Sequence, residues 1–334
     1  MSLLEKDDKI FVAGSNGMVG SSICRLLIKN GYTVDKKNLL TAARNHLDLT
    51  KINDVEKWFK NNNPQIVIIA AAKVGGIMAN MNKPVDFLLE NLKIQNNLIE
   101  TSWKFGVKRL VFLGSSCIYP KFSNQPIKEN YLLSSSLEKT NQWYAISKIA
   151  GLKLCEALKK QHGFDAISLM PTNLYGPKDN YDLHEGHVMA ALIRKFYEAK
   201  TKNENEVLCW GSGKPLREFL YVDDFAEAIL HLLKYWSPNQ NNSPLDENGG
   251  PLNWINVGSD FEISIKDLAY KISGIMNFKG KILWDKEKPD GTARKKLDTT
   301  YINNLNWKPK TNLDQGIKKT IISYKREHIN ESIK

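Results

Sequence analysis

The chain has 334 residues, 42% of them hydrophobic and 25% charged, with 47 Lys+Arg against 36 Asp+Glu and a net charge of +11. This usage excludes the disordered, collagenous and low-complexity classes. At roughly 100–200 residues per domain, it allows two domains or one domain with an attached lobe. The longest apolar run, Ile66–Ala72, is far shorter than the about 20 residues that cross a bilayer. The opening MSLLEKDDK lacks the basic-then-apolar order of a secretory signal, so a cytoplasmic protein with no membrane partner is expected. Cys24, Cys117, Cys155 and Cys209 are widely spaced with no CxxC pair, which argues against a disulfide framework or a metal site and suits a reducing compartment. The Lys and Arg residues are spread along the chain, which fits a solvated basic surface or binding of anionic small molecules. No nucleic-acid motif accompanies them, and no nucleic-acid partner is expected.

In chain order, Ile10–Ala13 reads as a strand, and Gly14–Gly20 turns out of it. Met18, Val19, Ile23, Leu26 and Leu27 recur at helical spacing up to Gly31. Asn38–Ala42 predicts a second strand, and Ile66–Ala70 a third whose continuous apolar character suits burial on both faces. Pro84–Phe105 reads as a helix, Leu110–Gly114 as a strand, Asn141–His162 as a long helix, and Ala166–Met170 as a strand stopped by Pro171. This β-α rhythm predicts an α/β fold with a doubly wound parallel sheet of Rossmann type. After Gly176 the rhythm loosens: His187–Ala199, Asp223–Tyr235, Ile263–Met276 and Asn312–Glu327 read as helices, with Val207–Trp210 extended. Ser237–Pro251 reads as a mobile polar loop, and Trp254–Val257 as a return to the sheet. The expected division is a dinucleotide-binding domain over 1–176 plus about 220–258, and a smaller α/β substrate lobe over 177–219 and 259–334.

Three motifs carry chemistry. Gly14-Ser15-Asn16-Gly17-Met18-Val19-Gly20 lies between a strand and a helix. Glycines there let the backbone approach a pyrophosphate, and the helix N-terminus offers unpaired N–H groups. NAD binders place an acid at the end of the second strand. Here Leu39–Arg44 contains none, and Arg44 either faces a 2′-phosphate, which favours NADP, or is an ordinary surface residue. Asp48 either caps the next helix or accepts a hydrogen bond from an adenine amino group. The second motif, Tyr144-Ala-Ile-Ser-Lys148, sets a phenol and an ammonium one helical turn apart, where the cation is expected to lower the phenol pKa. Alone, this spacing is common. The third, Gly114-Ser115-Ser116-Cys117, follows a strand, so its Ser is either a ligand-facing hydroxyl or a simple turn residue.

Together the three motifs resemble the extended short-chain dehydrogenase/reductase family, from Ile10 to at least Gly258. Five further phrases narrow the resemblance: Ala70–Ile77, Pro171–Pro177, Trp210–Gly213, Arg217–Asp224 and Lys288–Lys295. In combination they are similar to the family branch that epimerises GDP-4-keto-6-deoxy-D-mannose at C3 and C5 and then reduces C4 with NADPH. That resemblance covers nearly the whole chain. It implies Ser115, Tyr144 and Lys148 as the reductive set, and Cys117 and His187 as the epimerisation pair. It implies cofactor contacts at Leu113, Gly114, Ser116, Lys148, Pro171, Thr172, Asn173, Leu174 and His187, beside the glycine loop, Arg44 and Asp48. It implies GDP-sugar contacts at Lys195, Trp210, Arg217 and Asp290, and a homodimer. The chain departs from the family pattern at Asn16 and Ala42, where the family often has Arg, and at Lys195, which keeps a charge but not a guanidinium fork. Other readings on the same scaffold are an epimerase or dehydratase that retains NAD, or a non-enzymatic dinucleotide sensor. A dehydratase would want an acid pair where Cys117-Ile118 stand, and a sensor would be expected to lose Tyr144 or Lys148.

Overall fold

The computed structural model describes residues 3–241 and 243–332. The first half alternates as expected: β1 (Ile10–Ala13), α1 (Met18–Lys29), β2 (Leu39–Leu40), α2 (Ile52–Asn62), β3 (Ile66–Ile69), α3 (Ile77–Asn82), α4 (Pro84–Lys104), β4 (Arg109–Leu113), α5 (Gln142–His162) and β5 (Ala166–Pro171). The second half adds β6 (Asn173–Tyr175), α6 (Val188–Thr201), β7 (Glu206–Trp210), β8 (Leu216–Tyr221), α7 (Val222–Tyr235), β9 (Trp254–Val257), β10 (Glu262–Ser264), α8 (Ile265–Met276), β11 (Lys281–Asp285), β12 (Arg294–Lys295), α9 (Thr300–Asn304) and α10 (Leu313–Ser332).

Six strands pair in the order β2-β1-β3-β4-β5-β9, every neighbour parallel. The strands β1, β3, β4, β5 and β9 are buried along their whole length, as strands covered by helices on both faces must be. One face carries Ile10, Val12 and Ile255 against Ile23 and Leu27 of α1 and Ile229 and Leu233 of α7. The other carries Phe11, Val67 and Phe112 against Phe59 of α2, Leu98 of α4 and Leu152 of α5. The chain leaves β1 in opposite directions for β2 and β3, so a crevice opens at the carboxyl ends of β1 and β3. A third core joins α6, α8 and α10 through Ile193, Phe196, Leu268, Ile272 and Ile317. It lies with the small sheets β10-β8-β12, β6-β8 and β11-β7.

Some expectations change. The second strand shrinks to Leu39–Leu40, because only these residues find partners, at Ile10 and Phe11 of β1. β5 runs through Pro171, which pairs with Val257, so the proline does not stop it. The helix expected from Ile263 begins at Ile265, because Glu262–Ser264 pair with β8 and Ser264 Oγ then caps the helix by accepting from the Asp267 N–H. The polar stretch after α7 is irregular, but it is tethered at several points. Trp236 Nε1 donates to Ser243 Oγ, the Leu252 N–H bonds the Pro244 carbonyl, and the Asp246 carboxylate accepts from the Asn248 and Gly250 N–H groups.

Candidate active site

The glycine loop sits in the crevice between β1 and β3. A Cβ on Gly14, whose φ is +87°, would lie 2.6 Å from the Ala71 nitrogen, and a Cβ on Gly20 would collide with the Gly14 carbonyl oxygen. These two glycines hold the loop flat against the sheet. A Cβ on Gly17 would meet the Gly14 carbonyl oxygen only at an ordinary 3.6 Å, and Gly17 N-caps α1 without any side-chain bond or first-turn acid. The first-turn N–H groups, at Met18 and Val19, are left for an external acceptor, and this built anion site fits a dinucleotide pyrophosphate. Beyond β2, Arg44 projects its side chain at 81% exposure, with Nη2 3.3 Å from Glu90 Oε1. Asp48 does not cap α2. Its Oδ1 accepts from the Thr50 N–H and hydroxyl within its own turn, and Lys51 occupies the N-cap position.

At the end of β4, Ser115 begins a single 3₁₀ turn and its Oγ accepts from the Cys117 N–H at 3.2 Å. The turn reading of this serine therefore holds, yet the same hydroxyl also bonds the Tyr144 phenol. Tyr144 and Lys148 share one face of α5, as i and i+4 residues do. Lys148 is buried and donates to the Leu113 carbonyl at 2.8 Å, leaving Nζ 5.8 Å from the centre of the Tyr144 ring. The expected lowering of the phenol pKa is not found. Burial raises it well above 10, neighbouring Cys117 raises it further, and the Ser115 bond only partly offsets this. Burial brings Lys148 down to about 7. Tyr144 thus carries its proton at neutral pH, which is the state a proton donor needs.

Cys117 is half-buried, not the sealed apolar cysteine that most strand-end cysteines are. Lys295 Nζ lies 3.6 Å from its Sγ. His187 N-caps α6 and is exposed as a whole residue. Surrounding protein lowers the His187 pKa below its usual 6.5, and the Lys295 charge lowers it further. Lys295 therefore acts on both members of the expected epimerisation pair. Sequence reasoning passed over it, although it ends one of the phrases that carried the family resemblance. A cavity of about 20 Å³ adjoins Cys117, lined by Ser116, Lys121, Glu138, Asn141 and Lys295. That is room for one small polar group.

Pro171–Leu174 lead from the carboxyl end of β5 into β6. Thr172 Oγ1 and Asn173 Nδ2 both donate to the Glu218 carbonyl, which fixes this segment to β8. In the lobe, Lys195 Nζ bonds the Leu208 carbonyl at 2.8 Å and stands 4.9 Å from the Trp210 ring centre, with Lys288 5.5 Å away and the His184 ring at 5.7 Å. Arg217 Nη2 reaches the Asp290 carbonyl at 3.4 Å, and the Asp290 carboxylate accepts from the Ser212 N–H and hydroxyl. Burial lowers the Arg217 pKa while leaving it a cation, near Cys117, Asp290 and Glu138. An aromatic plate flanked by ammonium groups, next to a guanidinium, has the chemistry to hold a nucleobase and its diphosphate.

The family model described as "NAD dependent epimerase/dehydratase family" matches residues 10–243. The chain belongs to this family. Among curated relatives, it is 50% identical over 319 residues to a probable GDP-L-fucose synthase 1 of Oryza sativa subsp. japonica, covering 95% of this chain and 92% of that one. It is 48% identical over 316 residues to a GDP-L-fucose synthase of Sinorhizobium fredii, covering 95% of each. Among solved structures, it resembles MlghC, a GDP-mannoheptose C4 reductase from Campylobacter jejuni with NADP bound, with a TM-score of 0.84 and 34% identity over 96% of this chain and 99% of that one. Members of the family on the same fold need not share a substrate, so the assignment of activity rests on the site.

Proposed function

We infer that this family member is a GDP-L-fucose synthase. It epimerises GDP-4-keto-6-deoxy-D-mannose at C3 and C5 and then reduces the C4 ketone with NADPH. The observation that carries this reading is the convergence of a protonated Tyr144, bonded to Ser115, with the Cys117–Lys295 contact beside it. The relatives named GDP-L-fucose synthase and the NADP-bound reductase support the same activity and cofactor.

Each carbon beside a ketone loses a proton to one group and regains it from another. Cys117 and His187 are the two groups here, with the His187 imidazole neutral at pH 7 and able to accept. Ser115 and Tyr144 donate hydrogen bonds to the C4 oxygen, and they stabilise the enolate that each proton removal creates. Lys295 adds a positive charge to the same pocket. In the reductive step Tyr144 gives its proton to the C4 oxygen. NADPH, held by the glycine loop with Arg44 toward the 2′-phosphate, supplies the hydride when bound. Residues 1–176 with 220–258 hold the dinucleotide, and 177–219 with 259–334 hold the GDP-sugar. The separate apolar core of α6, α8 and α10 supports that division.

The active form is a homodimer. The adjacent helices α4 and α5 expose Val85, Leu89, Trp143 and Ile146, an apolar set suited to a second copy. The four free cysteines are in keeping with a cytoplasmic location. No helix among the described residues is long and apolar enough to cross a membrane.

Incubation with GDP-4-keto-6-deoxymannose and NADPH, followed by stereochemical identification of the sugar, tests the reading. GDP-L-fucose is the expected product. Tyr144→Phe should bind NADPH normally and lose about 10²–10⁴-fold in ketone reduction. A fewfold loss would remove Tyr144 as the proton donor.

A further inference from the structure

The loop that delivers His187 is held from outside the substrate lobe. The Gly76 N–H donates to the Glu185 carbonyl at 2.7 Å, and a Cβ on Gly76 would lie 2.5 Å from the Gly186 carbonyl oxygen. The two backbones are thus in direct contact immediately before His187. One side-chain ion pair closes this contact: Lys83 Nζ donates to Glu185 Oε1. Lys83 is the N-cap residue of α4. One turn further along that helix, Phe87 packs edge-on against the Tyr144 ring, with centres 6.4 Å apart. The same helix holds Asn91, which bonds the Lys73 N–H and carbonyl and so fixes the start of the segment that reaches Gly76. A single helix therefore touches the proton donor of the reductive step and the loop of the epimerisation step.

We propose that Lys83 and Glu185 are positioning residues for His187, a clasp that sets its distance from the substrate carbons relative to Tyr144. This rests on the reading that His187 transfers a proton. The pair lies outside the cofactor and sugar contacts and is nearly half exposed. Its contribution to overall stability is therefore small. Its effect is on placement, and proton transfer is steeply sensitive to displacement of about 1 Å. A surface pair with no such role would leave the balance between proton exchange and hydride transfer untouched.

The test uses the full chain with GDP-4-keto-6-deoxymannose and NADPH in deuterated water. It measures deuterium at C3 and C5 alongside NADPH oxidation. Glu185→Gln and Lys83→Gln should each cut deuterium incorporation about tenfold, lower the yield of correctly epimerised product and leave the Kd for NADPH unchanged. The double variant Lys83→Glu/Glu185→Lys should recover most of the exchange, because it restores the pair with its signs reversed. In the wild type, raising salt to 1 M should slow exchange more than it slows reduction of already epimerised ketone, since an exposed pair is screened. That measurement needs no variant to fold. Wild-type exchange in both single variants, or no salt effect on the ratio, overturns the proposal. His187→Asn separates the two ideas. If it abolishes exchange while Glu185→Gln does not, the clasp alone is wrong. If His187→Asn exchanges normally, the role of His187 and the clasp both fall.

Discussion

Lys295 Nζ stands 3.6 Å from Cys117 Sγ, although the two residues are 178 positions apart in the chain. β12, only two residues long, creates this proximity by pairing Lys295 with Arg217 of β8. The same ammonium repels a proton on His187. Lys295→Met removes one of the two causes of the low His187 pKa and leaves desolvation by the surrounding protein in place. The pKa should therefore rise but stay below the usual 6.5. The His187 ring resonance, followed by NMR against pH, reads this directly. The acid limb of the epimerisation rate should move up in pH with it, while exchange at pH 7 should change by less than about twofold, because an imidazole with a pKa below 6.5 stays mostly neutral there. Lys295→Arg, which keeps the charge, should leave the titration near wild type. An unmoved resonance in Lys295→Met would mean that the lysine does not act on the ring.

Cys117→Ser should separate epimerisation from reduction. A hydroxyl is far too weak an acid to be ionised usefully near neutral pH, whereas a thiol, with an ordinary pKa of about 8.5, supplies some base. Deuterium incorporation at C3 and C5 should fall by at least about 10²-fold, while NADPH binding and the melting temperature stay close to wild type. Unchanged exchange per folded molecule, with a lower melting temperature, would show a cysteine that only packs.

Lys148 gives a stability prediction with a defined sign. It is 3% exposed, and burial takes its pKa from 10.5 to about 7. Between those values the unfolded chain holds a proton that the folded chain lacks, so stability rises with pH across the window. Below about pH 7 the cost of burying the ammonium is fully present. Lys148→Met abolishes this dependence. Denaturant unfolding of wild type and variant at pH 7 and pH 10 should show their difference shifting by a few kcal/mol in favour of wild type at the higher pH, at roughly 1.4 kcal/mol per pKa unit. Parallel pH curves would place Lys148 in a more hydrated setting.

What the sequence made legible follows from where its signals are local. β1, β3, β4 and β5 are continuous apolar runs because helices cover both faces, and their positions are readable without any partner. Tyr144 and Lys148 share a face by helical geometry alone. α2 was harder to read: only Val55 and Phe59 of its eleven residues are buried, and Lys51 caps it without a side-chain bond. The lobe strands β6, β10 and β12 have three residues or fewer, too short to show a period. They exist because β8 offers partners from distant parts of the chain. β8 itself carries Arg217 and the fully buried Glu218, whose carboxylate accepts from the Ser259, Asp260 and Leu297 N–H groups. A charged pair inside a strand looks like surface until those N–H groups are brought to it. Lys295 escaped notice for the same reason, since its meaning lies in the contact with Cys117 and not in its neighbours. The tuning of Tyr144 was misread because i, i+4 spacing reports a shared face, whereas the pKa is set by burial and by Lys148 turning to the Leu113 carbonyl.

Arg44 decides the last prediction, which concerns cofactor choice. Its side chain is 81% exposed, no acid stands between β2 and Arg44, and its one ionic contact among the described residues is Glu90 at 3.3 Å. A hydrogen bond to a charged group contributes about 1.5–3 kcal/mol, and exposure brings this toward the lower end. Arg44→Ala should then raise the Kd for NADPH about tenfold and change that for NADH by less than about twofold. Glu90→Gln should act in the opposite direction, since it frees the guanidinium from a competing carboxylate and removes a negative charge near the 2′-phosphate. Both effects should shrink as salt is raised, because the group is open to screening. Fluorescence titration of wild type, Arg44→Ala and Glu90→Gln with each cofactor, at low and high salt, measures all of this. Equal weakening of NADPH and NADH in Arg44→Ala would instead assign the 2′-phosphate to Asn16 or another group of the glycine loop, and would leave Arg44 an ordinary surface residue.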